Sequence, residues 1–271
     1  MSTAAHPFDQ ALTLEALGEG RFLGQTHPGY ANMVGPFGGI TAAQMLQAVM
    51  QHPDLLGEPT ALNVNFCAAV ADGPFEIHAQ AVRTNRSTQH WWVSMSQGDD
   101  VVITATAVTA KRRATLRAQD AGMPQVPSAD QVPPMAGKPP VAWIERYDIR
   151  YLEGALPKTW DDSDSGDSHS LVWMADSEPR ALDLQSLTAY ADVFFPRLWL
   201  RRARRVPIGT VSMGVYFHAS AEDLAACSGG FVLGSARAQV MHDGFQDQTG
   251  VLWSADGRCL ASTHQTMYYR E

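Results

Sequence analysis

The chain has 271 residues, of which 45% are hydrophobic and 18% charged, a composition typical of folded globular proteins and unlike that of disordered ones. This length exceeds that of a usual single domain, so two domains of similar size are expected. The formal net charge of -8 argues against a nucleic-acid partner, because phosphate backbones are usually bound by basic surfaces.

The sequence also lacks the patterns that are typical of exported or membrane proteins. No stretch approaches the roughly 20 apolar residues of a membrane helix, and the N-terminus lacks the basic and apolar regions of a secretory signal. Cys67, Cys227 and Cys259 are far apart and form no CxxC pair, which favours neither a disulfide framework nor a zinc site. We therefore expect a cytoplasmic protein without a membrane segment, metal or cofactor.

The first elements in chain order are a helix and four strands. Residues 37–51 (FGGITAAQMLQAVMQ) carry an apolar stripe that begins at a glycine pair, which predicts one buried helix. Residues 60–112 contain four runs of alternating apolar and polar residues separated by turn residues, and these predict four antiparallel strands. Six prolines between residues 124 and 140 then exclude a helix interior or a central strand and predict an extended linker.

The same order of elements returns after the linker. Residues 146–154 and 170–175 are strand candidates, and residues 181–199 predict a helix that must stop near Pro196. Four more strands follow between residues 209 and 270. The acidic, serine-rich run at 161–168 predicts a flexible loop or a hairpin tip.

The two halves overlay with an offset that drifts from 151 to 158 residues, a drift typical of duplicated domains with different loop lengths. The landmarks are Phe66 on Phe217, residues 79–82 on 236–240, and residues 102–112 on 260–270. A helix followed by a long antiparallel sheet predicts an α+β architecture in which each sheet wraps a helix. We expect two such domains, 1–115 and 145–271, joined by a linker at 116–144, with their sheets able to pair edge to edge.

Three segments of the C-terminal half resemble the signature of thioesterase II type acyl-CoA thioesterases. They are SLTAYAD, which ends at Asp192, IGTVSMGVYFHAS, which carries Thr210, and LASTHQTMYYR, which carries Gln265. The segment MVGPFGGITAAQML resembles the first helix of that family. The resemblance implies a double hotdog, with two antiparallel sheets each wrapped around a central helix, and hydrolysis of acyl-CoA to a free acid and CoA.

In that family an aspartate, a threonine or serine, and a glutamine hold and activate the attacking water. Here Asp192 would be the general base, with a pKa raised by desolvation, and Thr210 and Gln265 would fix the water. Gln265 overlays Ala107, and the first helix contains no aspartate or glutamate. We therefore expect one active cleft, to which the N-terminal half contributes binding surface only.

Substrate contacts are predicted from local chemistry. Gly38 and Gly39 at a helix N-terminus offer free amides suited to a carbonyl or phosphate. For the CoA phosphates we prefer the arginine run, Arg201, Arg202, Arg204 and Arg205, with Arg201 and Arg202 as the main contacts, over the basic cluster Lys111 to Arg113. An acyl tunnel is expected to be lined by Met45, Phe194, Phe195, Trp199 and Tyr216. A homodimer or higher homo-oligomer is expected. The alternatives are a non-catalytic acyl-CoA-binding hotdog protein and an acyl-thioester hydratase or dehydratase, for which no convincing Asp/His or Glu/His pair is present.

Overall fold

The structure, a computed structural model, describes residues 5–227 and 230–271. Within these ranges none of the helices is long and apolar enough to cross a membrane. The described helices are α1 (Pro7–Ala11), α2 (Gly38–Met50), α3 (Leu184–Tyr190), α4 (Arg197–Arg201) and α5 (Ala221–Ala225). The described strands are β1 (Glu15–Gly18), β2 (Arg21–Gln25), β3 (Glu58–Phe66), β4 (Pro74–Thr84), β5 (Thr88–Gln97), β6 (Asp100–Ala110), β7 (Tyr147–Glu153), β8 (Ser170–Asp176), β9 (Ile208–Phe217), β10 (Val232–Arg237), β11 (Met241–His242), β12 (Phe245–Ser254) and β13 (Cys259–Tyr269).

All described strands belong to one continuous antiparallel sheet. Its order is β1-β2-β4-β5-β6-β3-β9-β13-β12-β10-β8-β7, with β11 paired to β12. The prediction of an antiparallel α+β fold is confirmed, and the two halves pair edge to edge as the sequence analysis allowed, because β3 of the first half pairs directly with β9 of the second. This pairing satisfies the backbone of both strands, which would otherwise be exposed sheet edges.

The register of the β3–β9 pair reveals a pseudo-two-fold axis. Asn63 lies opposite Gly214, Leu62 opposite Val215, and Val64 opposite Met213. The 151-residue offset that relates the two halves in sequence maps each of these pairs onto another or onto itself. The internal duplication is therefore also visible in the pairing of the strands.

Helix α2 forms the centre of the N-terminal core. Its side chains at Ile40, Met45, Leu46 and Val49 are buried, and the helix packs against β3, β4, β5, β6 and α3. The polar Gln44 is buried as well, and its amide donates to the Ala11 carbonyl at 2.8 Å. The predicted buried helix is confirmed at nearly the predicted bounds, because the apolar stripe forms its buried face and the glycine pair forms its first turn.

The helix predicted at residues 181–199 is wrong in extent. A capping box between Asp183 and Ser186 starts α3, which ends after seven residues at Tyr190. The next residues, Val193 to Phe195, leave the helix before Pro196, and α4 begins immediately after that proline. Proline disfavours the α conformation for the residue before it, which accounts for the break at Phe195, whereas α3 already ends at Tyr190.

The proline-rich segment packs against the outer face of the C-terminal strands. Val132 and its neighbours cover Trp173 and Trp253, and the Trp173 indole donates to the Pro127 carbonyl at 2.9 Å. At the far end of the segment a short 3-10 turn, Ala142–Arg146, buries Trp143 on the inner side. The segment contains no strand, as predicted, but it is packed on both sides of the sheet.

Candidate active site

Asp192 lies just beyond the C-terminus of α3. The amide of Ala191 donates to Leu187 and that of Asp192 to Ala189, so a last turn closes immediately before the carboxylate side chain. The prediction placed Asp192 on a helix surface, whereas the structure places it where the chain leaves the helix. The side chain faces a cavity between the two halves of the chain.

Gln265 contacts Asp192 directly. Its amide nitrogen donates to Asp192 Oδ1 at 3.0 Å and to the Ala191 carbonyl at 3.1 Å. Gln265 lies on β13 with only 1% of its surface exposed, while His264 beside it points to the opposite face. The Gln265 Oε1 atom is buried and has no hydrogen-bond partner among the residues that the structure describes. It is therefore free to accept a hydrogen bond from a bound water.

The N-terminus of α2 approaches the same carboxylate. The Gly39 amide donates to Asp192, and a Cβ on Gly38 would lie 2.8 Å from Asp192 Oδ2. A Cβ on Gly39 would lie 2.7 Å from the Ala189 carbonyl oxygen. Gly39 is thus required for the close approach of α2 to α3, and Gly38 for the close approach of α2 to the Asp192 carboxylate. The Gly39 amide, which was predicted to bind substrate, contacts Asp192.

Burial raises the pKa of Asp192 to about 7, although the hydrogen bonds from Gln265 and Gly39 act in the opposite direction. Desolvation disfavours the charged carboxylate, and no cation is among the causes that act on it. A carboxyl group with this pKa is substantially ionised at neutral pH and still basic enough to accept a proton, as a general base requires.

Thr210 reaches the inner face through a β-bulge. Thr210 pairs with Met267 and Ser212 with Thr266, so Val211 is the extra residue and its side chain is 36% exposed. Without the bulge Val211 would face inward in place of Thr210. Thr210 lines the cavity with Asp192, but in the described part of the chain its hydroxyl forms no hydrogen bond with either Asp192 or Gln265.

The cavity has a volume of about 210 Å³ and a mostly apolar lining. Two of its walls are aromatic: Phe37 stacks on Trp143 with centroids 4.3 Å apart, and Trp160 meets Trp199 edge to face at 6.1 Å. Trp143 also donates to the Asn32 side chain at 3.3 Å. The remaining lining residues are Met33, Pro140, Val141, Ile144, Leu156, Phe194, Phe195, Pro196, Arg205, Ile208 and Met267.

The sequence identified only part of this lining. Phe194, Phe195 and Trp199 were predicted correctly, but Met45 is buried beneath α2 away from the cavity and Tyr216 is 45% exposed on the outer face of the sheet. Trp143 was missed because it lies in the predicted linker, and Trp160 because it lies directly before the predicted loop at 161–168, outside every predicted helix or strand. Exposed segments seldom carry tryptophan, so each of these isolated tryptophans was a signal that its segment packs against something.

The assignment of Arg201 and Arg202 to CoA phosphates has no geometric support. Arg201 pairs with Asp164 at 2.7 Å, and Arg202 pairs with Asp162 at 2.7 Å and with Glu271 at 3.0 Å. Neither arginine lines the cavity. Arg201 and Arg202 are therefore paired with the acidic loop, a contact that the sequence left open, while Arg205 lies over Trp160 and lines the cavity.

The pseudo-equivalent positions in the N-terminal half lack the same chemistry. On β6 and β3, Ala107 pairs with Leu62 and Thr109 with Pro59, across a bulge like that on β9. Ala107 therefore occupies the position of Gln265, and Pro59 that of Thr210. Neither residue has a side-chain hydrogen-bonding group. The sequence overlay showed the difference at Ala107, and the structure adds the one at Pro59.

No metal site accompanies the carboxylate: in residues 5–227 and 230–271, no cluster of three or more His, Cys, Asp or Glu side chains is arranged to hold an ion. His27, which lies near the glycine turn in sequence, accepts a hydrogen bond from the Gly29 amide at 3.1 Å and caps a short turn.

Comparisons with known proteins identify the family and the fold. An acyl-CoA thioesterase N-terminal domain model matches residues 27–110, and an acyl-CoA thioesterase C-terminal domain model matches residues 123–269. A hot dog fold protein of unknown function from Alicyclobacillus acidocaldarius is 43% identical over 99% of both chains, with a TM-score of 0.93. A putative thioesterase II from Thermobifida fusca is 19% identical over 99% of both chains, with a TM-score of 0.84.

The tesB protein of Mycobacterium avium subs paratuberculosis is 18% identical over 97% of this chain and 98% of its own, with a TM-score of 0.77. A search of curated proteins found no match. The two domain models together span most of the chain, in the order that the duplication requires. This chain belongs to the acyl-CoA thioesterase family and has the hotdog fold of its structural neighbours.

Proposed function

We propose that the protein hydrolyses acyl-CoA thioesters to the free carboxylic acid and CoA. The observation that carries this proposal is the Asp192 carboxyl group, which has a pKa of about 7, accepts a hydrogen bond from Gln265, and opens on an apolar cavity. A general base of this kind next to an apolar chamber suits attack by water on an acyl group.

In the proposed reaction Asp192 Oδ2, Thr210 Oγ1 and Gln265 Oε1 hold one water against the thioester carbonyl. The water oxygen bonds to the carbonyl carbon as its proton passes to Asp192. The carbon–sulfur bond then breaks, and the proton returns to the sulfur of the leaving CoA. In this scheme the Gly38 amide, at the N-terminus of α2, stabilises the negative charge that develops on the carbonyl oxygen.

Both halves contribute to this one site. The N-terminal half, proposed as residues 1–115, supplies Gly38, Gly39 and Phe37, while the C-terminal half, proposed as residues 145–271, supplies the three polar side chains. The first four residues of the N-terminal half lie outside the described residues. Trp143 is contributed by the segment 116–144, which we propose as the connection between the halves.

The test is thiol release from a series of acyl-CoAs, from acetyl to palmitoyl, by the wild-type protein and by Asp192→Asn. We expect the substitution to lower kcat by about 100- to 10,000-fold with little change in KM, because it removes a general base and preserves shape. Asp176→Asn is the matched control, since burial also raises the pKa of Asp176, to about 6, but its side chain does not line the cavity.

Two results would contradict the proposal. Near-normal turnover by Asp192→Asn would show that another group activates the water. Binding of acyl-CoA by the wild-type protein without any release of thiol would instead identify a non-catalytic acyl-CoA-binding protein.

A further inference from the structure

One wall of the cavity comes from the loop between β7 and β8. This loop carries Trp160, whose ring meets Trp199 edge to face at 6.1 Å. The Arg205 guanidinium lies over the same ring, 4.5 Å from its centroid. Trp160, Trp199 and Arg205 all line the cavity that contains Asp192. A cation beside an aromatic ring is an unfavourable place for an apolar chain to continue, because the chain would have to desolvate the charge.

The loop that presents Trp160 is held to the chain after α4. The Asp162 amide donates to the Ala203 carbonyl at 3.0 Å, the Ala203 amide to Ser163 at 2.9 Å, and the Ser165 amide to Arg201 at 2.8 Å. The ion pairs of Arg201 and Arg202 lie along the same contact. Exposed ion pairs contribute only about 0–1 kcal/mol each, so the backbone hydrogen bonds are the main interactions that hold the loop in place.

The cavity extends along β9 from the reacting groups. Ile208 and Thr210 both line the cavity, and they pair with Tyr269 and Met267 on β13. Two residues along a strand span about 7 Å. An acyl chain whose carbonyl is held at Thr210 and Asp192 therefore reaches Ile208 after a few carbon atoms, inside the cavity that Trp160 also lines. The nearby lining residues Leu156 and Phe195 are apolar, so they suit an acyl chain better than the polar pantetheine arm.

We infer that Trp160 is a specificity-determining residue that ends the acyl-binding part of the cavity, so that the enzyme selects acyl-CoAs by chain length. The inference rests on the proposed thioesterase function. Trp160 touches no reacting atom in this scheme: it limits which acyl chains fit and leaves the chemistry to Asp192.

The experiment compares Trp160→Ala, Trp160→Phe and the wild-type protein on saturated acyl-CoAs that differ by two carbons. Each added methylene that finds room is worth about fourfold in kcat/KM, from about 0.8 kcal/mol per buried methylene. Trp160→Ala should therefore raise kcat/KM for the chain two carbons beyond the wild-type optimum by about 15-fold relative to that optimum. Trp160→Phe keeps a ring in place and should stay close to the wild-type profile. Trp92→Ala, which removes an exposed tryptophan on the outer face of β5, should leave the profile unchanged.

A merely structural role for Trp160 gives a different result, in which all chain lengths lose activity together and the optimum does not move. That result overturns the inference, as does an unchanged profile. Calorimetric binding of the same acyl-CoAs to Asp192→Asn, with and without Trp160→Ala, reads the preference without turnover. A shifted binding preference together with a wild-type protein that hydrolyses no acyl-CoA would refute the proposed function and keep the role of Trp160, whereas hydrolysis by the wild-type protein with an unshifted preference would do the reverse.

Discussion

Replacing Asp192 with asparagine should stabilise the folded protein at pH 8. The folded-state pKa of Asp192 is about 7, while an unfolded aspartate titrates near 3.9. A carboxyl group whose pKa is raised by folding contributes its full stability below the unfolded pKa and loses it as the pH rises through the folded pKa. The difference of about three units between the folded and unfolded pKa corresponds to about 4 kcal/mol, by which the ionised Asp192 destabilises the folded wild-type protein at pH 8. Asparagine has one acceptor oxygen where the carboxylate accepts hydrogen bonds from both Gln265 and Gly39. The lost hydrogen bond reduces the gain in stability by about 1 kcal/mol.

The expected gain is therefore about 3 kcal/mol at pH 8, and it should fall below about 1 kcal/mol at pH 5, where the wild-type side chain is mostly protonated. Reversible urea unfolding at both pH values measures it, with Asp72→Asn, at an exposed carboxylate, as the control. Equal stability of the wild-type protein and Asp192→Asn at pH 8 would refute the claim that desolvation sets this pKa. Such a gain is the usual signature of a residue that is retained for activity at a cost in stability.

Four further substitutions test the packing around the site. Gly38→Ala places a Cβ 2.8 Å from Asp192 Oδ2 and should lower kcat about 10-fold or more with nearly unchanged stability. Gly39→Ala places a Cβ against the Ala189 carbonyl oxygen and should destabilise the protein by about 1–3 kcal/mol. Equal losses of kcat and of stability in the two variants would contradict this geometry. Thr210→Val keeps shape and removes the hydroxyl, so kcat measured on the best acyl-CoA should fall about 10- to 100-fold, and an unchanged kcat would exclude Thr210 from water binding. Arg197 is fully buried and donates to four oxygens, so Arg197→Met should cost about 2–4 kcal/mol in urea unfolding, and no loss would show that these oxygens find other partners.

Of the structural elements, the strands were predicted best from the sequence. Period-two alternation located β3 to β6 and the later strands, because each buries one face and exposes the other. It missed β1 and β2, which are short, and it could not show that β3 and β9 join the halves into one sheet. Pairing between distant strands depends on which edges are left unsatisfied, and a local pattern does not contain that information.

The candidate site was predictable to the extent that side-chain chemistry and family resemblance define it. The resemblance picked out Asp192, Thr210 and Gln265, and the structure brings Asp192 and Gln265 into hydrogen-bond contact. The charge pattern was misleading at Arg201 and Arg202, because their carboxylate partners lie about 40 residues earlier in the chain. The bulge that turns Thr210 inward was not visible in the sequence. Homo-oligomerisation and a cytoplasmic location stay predictions from the sequence.

The dependence of kcat on pH tests the central claim most directly, namely that the ionised Asp192 carboxylate is the base. With a pKa of about 7, only about 1% of the carboxyl groups are ionised at pH 5. The wild-type kcat on its best acyl-CoA, corrected for uncatalysed hydrolysis, should therefore rise about 100-fold from pH 5 to a plateau above pH 8. The inflection should be absent from the residual activity of Asp192→Asn. A kcat that is flat between pH 5 and 9, or an inflection that persists in Asp192→Asn, would contradict the account.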